Sequence, residues 1–107
     1  MLNDPTAVMD LVRRNLPASD RPEGYRVYYD TDVKDAGQKV CVGLREVPMP
    51  FRGFRVFLDL VPNANWGHRV AYLLTDENLS KCVRYDEQFP PFSGEMPVNW
   101  RTVRSEA

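Results

Sequence analysis

The single histidine of this chain, His68, closes a loop that also carries one of its two tryptophans: Pro62-Asn63-Ala64-Asn65-Trp66-Gly67-His68. An imidazole near neutral pH can act as a base or bind a metal. A base needs a partner to orient it, and a metal needs three or four ligands. Among strand residues only Asp59, Cys41 and Cys82 are suitable companions, and no C-x-x-C, H-x-H or H-E-x-x-H spacing exists. The expectation is therefore no metal and no cofactor, with His68 hydrogen-bonded to the loop and shaping it. Trp66 is the stronger binding candidate, because tryptophan buries much area at little entropic cost. Asn63 and Asn65 can supply contacts or simply build the turn. Trp66 itself either folds back over the core or stands out as a contact residue.

A second candidate is Phe51-Arg52-Gly53-Phe54-Arg55-Val56-Phe57, which interleaves aromatic and basic residues as RNA-binding sheets do. Arg52-Gly53-Phe54 matches the opening of the RNP1 pattern, but Arg55, Val56 and Asp59 break its continuation. The plain alternative is a strand with two solvent-facing arginines. Asp30, Asp32 and Asp35 suggest a calcium loop, yet Lys34 and Asp35 occupy its fifth and sixth places and Cys41 its twelfth, so the motif fails. No nucleophile elbow or phosphate loop is present, and the four serines lack a catalytic context. No motif carries a resemblance to a known family.

These residues must be positioned by one small domain. The chain has 107 residues, 43% apolar and 27% charged, with nine prolines and a net charge of −1. That balance offers no global attraction to nucleic acid or to anionic membranes. Eleven of its 14 basic residues are arginine. The N-terminus shows no leader pattern and no apolar run approaches a membrane span, so the expectation is a cytoplasmic protein, bacterial or viral in style. Cys41 and Cys82 lie in apolar runs and read as small hydrophobes rather than as a disulfide.

The first element reads as a helix within residues 1–17. Asp4 caps it, Pro5 takes its first turn, and Val8, Leu11, Val12 and Leu16 form one apolar stripe. Pro17 ends it. Residues 25–86 read as an antiparallel sheet. Tyr25–Asp30 is a first strand, Val40–Arg45 a second, and Val47-Pro48-Met49-Pro50 breaks the pairing. Gly53–Val61 and Arg69–Thr75 flank the Trp66 loop, and Lys81–Tyr85 is a fifth strand. Phe54, Val56, Leu58 and Leu60 face one way and Phe57 and Val61 the other, as in a central strand covered on both sides. Pairing residues whose numbers sum to 128 sets Val56 against Tyr72 and Asp59 against Arg69. Residues 87–107 form a proline- and aromatic-rich tail packed on the sheet. In it Phe89-Pro90-Pro91-Phe92 is a lid over the sheet face or, alternatively, a stiff extended ligand for a partner, and Val98–Val103 an edge strand or packed tail.

The fold class expected is α+β, one N-terminal helix packed on a mostly antiparallel meander of about five strands. The function expected is a small non-catalytic protein-binding module, an adaptor, accessory or inhibitor, contacting another protein around Trp66 and His68. A small enzyme or metal-dependent site at His68 is the alternative, and RNA binding through Arg52 and Arg55 a further one. Open sheet edges leave room for a homodimer.

Overall fold

The computed structural model describes residues 4–62, 67–92 and 94–104. Asp4 accepts a hydrogen bond from Thr6 N at 2.9 Å and opens α1, Pro5–Asn15. Leu16, just before Pro17, is extended at φ −124°, as a residue preceding proline prefers. Val8, Leu11, Val12 and Leu16 are all buried, each contributing roughly 1.5–3 kcal/mol.

The strands are β1 (Arg26–Asp30), β2 (Lys39–Val42), β3 (Arg45–Pro48), β4 (Gly53–Asp59), β5 (Val70–Asp76), β6 (Cys82–Glu87) and β7 (Trp100–Arg104). Five of them form one antiparallel sheet in the order β6-β5-β4-β1-β7, while β2 and β3 make a separate hairpin. The protein is thus α+β, with an N-terminal helix on a five-stranded sheet. Three layers result. The helix covers one face, above Val27, Val56, Leu58 and Leu73. On the other face Val40, Val42, Val47 and Met49 of the hairpin join Phe57, Tyr72 and Trp100.

The hairpin corrects the expected meander. Residues 40–45 do not form one strand of the main sheet. Val42 pairs with Arg45, so Gly43-Leu44 is a two-residue turn with Gly43 at φ +65°. Glycine first in a two-residue turn is the signature of a type II′ hairpin. Pro48 sits at the end of β3 opposite Lys39, where its missing donor does little harm. β1 therefore skips the hairpin and pairs with β4, and the fifth place in the sheet goes to β7.

The register across β4 and β5 also differs by one residue. Val56 lies opposite Leu73, Phe57 opposite Tyr72 and Asp59 opposite Val70. From Val70 to Thr75, β5 is buried on both faces. A one-residue slip then exchanges one apolar set for another, and hydrophobic pattern alone does not select the register. The observed pairing brings the backbones so close at Gly53 that a Cβ there would stand 1.8 Å from the Thr75 carbonyl oxygen, so only glycine fits.

The segment Phe89–Phe92 closes the second face. Phe92 meets Tyr28 edge-on at 6.3 Å and Trp100 at 6.0 Å between ring centres. Tyr72 donates its hydroxyl to the Phe89 carbonyl at 2.7 Å. Burial raises the pKa of that phenol well above its ordinary value, so it remains a donor.

Between β5 and β6 the chain turns through Leu79, whose φ of +58° is unusual for a leucine. The turn is held from both sides. Arg14 of α1 donates to the Leu79 carbonyl at 2.9 Å, and the Asp76 carboxylate accepts from Ser80 N at 2.7 Å and Lys81 N at 3.0 Å. Partial burial opposes ionisation of Asp76, but hydrogen bonds from Ser80 and Lys81 outweigh it and hold the carboxyl below its ordinary 3.8. A depressed carboxylate stabilises the fold above its unfolded value, and that contribution disappears as pH falls through the folded one. Asp76→Asn should therefore lower stability by about 1 kcal/mol at pH 7, and the gap to wild type should close as pH falls below the ordinary carboxyl value and through the lowered folded one. Urea denaturation at a series of pH values measures both.

Candidate binding surface

The sequence of pairings aligns Arg26, Asp59, Val70 and Glu87 in one row across β1, β4, β5 and β6. Beyond this row β4 runs into the loop that returns as β5. The row defines the loop end of the sheet.

His68 is fixed here by Asp59. Its Nε2 lies 2.8 Å from Asp59 Oδ1, which also accepts from Val61 N at 3.2 Å. A carboxylate only accepts, so the ring carries its proton on Nε2. The two side chains are 9% and 7% exposed. Asp59 thus joins the two ends of the loop, and its expected cross-strand pairing with Arg69 does not form. Asn63, Asn65 and Trp66 lie outside the described residues.

Arg69, released from Asp59, borders an open groove of about 530 Å³ together with Leu44, Asp86, Glu87, Gln88 and Phe89. Leu44 is 81% exposed at the tip of the β2–β3 turn. That tip sits against Glu87: a Cβ on Gly43 would come within 2.8 Å of Glu87 Oε1. Glu87 is neutralised by Arg45, whose Nη2 approaches Oε2 to 2.7 Å while its guanidinium covers Tyr85 at 5.1 Å. Asp86 is paired with Arg84 at 2.9 Å. Arg69 has no carboxylate partner among the described residues. Both acids of the groove are therefore matched while one guanidinium is left to solvent.

The other two candidate arginines lie apart from this surface. Arg52 precedes β4, at the far end of that strand from Asp59, and contacts the carboxylates of Asp35 and Glu77. Arg55 is not solvent-facing. Its side chain is 11% exposed and its Nη2 donates to Asp30 Oδ2 at 2.8 Å, with Asp30 fully buried. Asn99 and the amide of Asp32 complete Asp30, each at 2.9 Å. Arg55 Nη1 also reaches the Cys41 carbonyl at 3.0 Å, and its guanidinium lies 5.1 Å from the centre of the Trp100 ring. One buried ion pair thus ties the hairpin, β1, β4 and the approach to β7. Of the two arginines in the aromatic–basic alternation, Arg55 is engaged in this tie and Arg52 in surface ion pairs.

Sequence reasoning missed Leu44 and Glu87 as parts of this surface, read Phe89 only as part of a lid or an extended ligand, and paired Arg69 with Asp59, a pair that the described residues do not contain. The Gly43-Leu44 turn signal would have placed Leu44 at an exposed tip, but the alternation of Val40, Val42 and Leu44 masked it. The cysteines also part ways. Both are free, but Cys41 is exposed on β2 instead of buried, because its strand belongs to the outer hairpin. Burial pushes the Cys82 thiol up to about 11. Among the described residues no three potential metal ligands cluster, and no helix is long and apolar enough to cross a membrane.

No family model matches this chain, and comparisons with curated proteins and with solved structures gave no match.

Removing Arg55 leaves the Asp30 carboxylate buried without its counter-charge, which costs about 3–5 kcal/mol. That is a large part of the ~5–15 kcal/mol that stabilises a domain of this size. Arg55→Ala should lower the urea midpoint sharply, whereas Arg52→Ala, at an exposed ion pair, should change stability by less than about 1 kcal/mol.

Proposed function

We propose that this chain is a small protein-binding module whose contact surface is the loop end of its sheet, comprising the loop from Pro62 to Arg69 and the adjoining groove. The observation that carries this reading is the groove. It is large enough to take a side chain or short segment, its Leu44 rim is exposed, and its Arg69 has no ion pair among the described residues. An apolar rim around an uncompensated guanidinium is the composition of a binding hot spot. Trp66, with Asn63 and Asn65, belongs to the same loop in the sequence and would extend the contact.

Further support comes from how the surface is held. The His68–Asp59 contact joins the ends of the loop, Tyr72 anchors Phe89, and Arg45 fixes Glu87. Such anchoring reduces the entropy lost on association. An adaptor, accessory or inhibitor role in the cytoplasm fits a domain that presents one preformed surface. The His68–Asp59 pair is also the geometry of an oriented base, and it makes an enzyme centred on His68 the second reading. The binding role is preferred because this imidazole is nine-tenths covered and already serves the loop.

Affinity capture from the native cell lysate, quantified by mass spectrometry, tests the proposal. A partner should be recovered by wild type and Arg52→Ala, and lost by Trp66→Ala and by Leu44→Asp, with all four proteins showing cooperative unfolding. Equal recovery by every variant, or none by wild type, would overturn it.

A further inference from the structure

The groove at the loop end also indicates what kind of segment fits it, an inference that rests on the binding-module reading. Four observations constrain the occupant. First, β6 is a terminal strand of the five-stranded sheet, so among the described residues one edge of its backbone has no neighbouring strand. Second, the groove residues Asp86 and Glu87 are the last two of β6, and Gln88 and Phe89 continue from it. An extended chain laid along this edge would therefore run into the groove. Third, the acids are matched: Glu87 by Arg45 and Asp86 by Arg84, at 2.7 and 2.9 Å. A basic ligand would have to displace an arginine already in place. Fourth, Arg69 is exposed, is not among the ion-paired arginines of the described residues, and has the Leu44 and Phe89 side chains as fellow lining.

We infer that the groove receives an extended segment of a partner protein carrying an acidic side chain next to an apolar one. The carboxylate would pair with the Arg69 guanidinium, whose planar fork suits a two-point contact. The neighbouring apolar side chain would rest between Leu44 and Phe89, removing the exposed leucine from water. Backbone hydrogen bonds to the open edge of β6 would hold the segment extended. Because Arg69 is exposed, its contribution should weaken as salt rises.

Two peptide libraries displayed on phage test this. One presents random heptapeptides between fixed flanks, and the other presents them with a free C-terminus. Each is selected on wild type, Arg69→Gln and Leu44→Asn, whose matching thermal melts establish that the surface substitutions leave the fold intact. The expected result is enrichment, in the flanked library on wild type, of peptides with Asp or Glu beside an apolar residue. A synthetic copy of the best peptide should bind Arg69→Gln roughly tenfold more weakly than wild type, and the Glu→Gln or Asp→Asn peptide should show the same loss. Enrichment confined to free C-termini, enrichment without an acidic residue, equal binding to Arg69→Gln, or no enrichment on wild type would each overturn the inference. The lysate capture judges the binding reading separately: a partner lost with Leu44→Asp while no acidic peptide is enriched leaves a binding module with a different preference.

Discussion

A sheet whose central strands are apolar on both faces must be covered twice, and most of this architecture follows from that constraint. β4 presents Phe54, Val56 and Leu58 to one side and Phe57 to the other, and β5 is buried throughout from Val70 to Thr75. In a chain of 107 residues a single helix covers only one face. The second cover is assembled from two pieces, the β2–β3 hairpin and the Phe89–Phe92 segment, which meet over Phe57, Tyr72 and Trp100. Neither piece is a sheet neighbour of the strands that precede and follow it. Each needs a specific attachment. For the hairpin this is the buried Asp30–Arg55 pair with its reach to the Cys41 carbonyl, and for the aromatic segment the Tyr72–Phe89 hydrogen bond. Such buried polar contacts add little net stability but are costly to break, and they specify one arrangement over others.

Covering two faces leaves the ends. At one end of β4, Arg52 is engaged by Asp35 and Glu77. At the other, the hairpin tip and the beginning of the aromatic segment border a groove together with Arg69. The surface proposed for binding is thus a consequence of how the second layer is built. Leu44 is exposed because a two-residue turn must place one residue at its tip, and Gly43 takes the left-handed position beside Glu87. Among the described residues Arg69 has no carboxylate partner, since Asp59 faces His68 instead.

The helix was legible from Asp4, Pro5 and one apolar stripe, since caps and periodicity are local. The opposed faces of β4 were legible from alternation, and the cover supplied by Phe89–Phe92 from the need to shield the second face. His68 could be matched with Asp59 as a possible companion, though not with the contact that forms. The register was not legible, because two apolar faces make adjacent registers nearly equivalent and the apparent Asp59–Arg69 pair favoured the wrong one. The hairpin was missed because Val40, Val42 and Leu44 continue an alternating pattern through a turn. Both errors concealed the same place: Arg69 seemed paired and Leu44 seemed to lie in a strand, so the one local signal for the groove, the Gly43-Leu44 turn, was masked.

The central claim is that this loop end, rather than the Arg52 end, meets another protein. Site-specific photo-crosslinking in the native cells tests it most directly, with a benzophenone amino acid placed at position 44 or, as a control, at position 52. The account predicts a discrete higher-mass adduct from position 44, absent from position 52, with the partner peptide joined at the groove. An adduct from position 52 alone, or equal labelling from both, would contradict it.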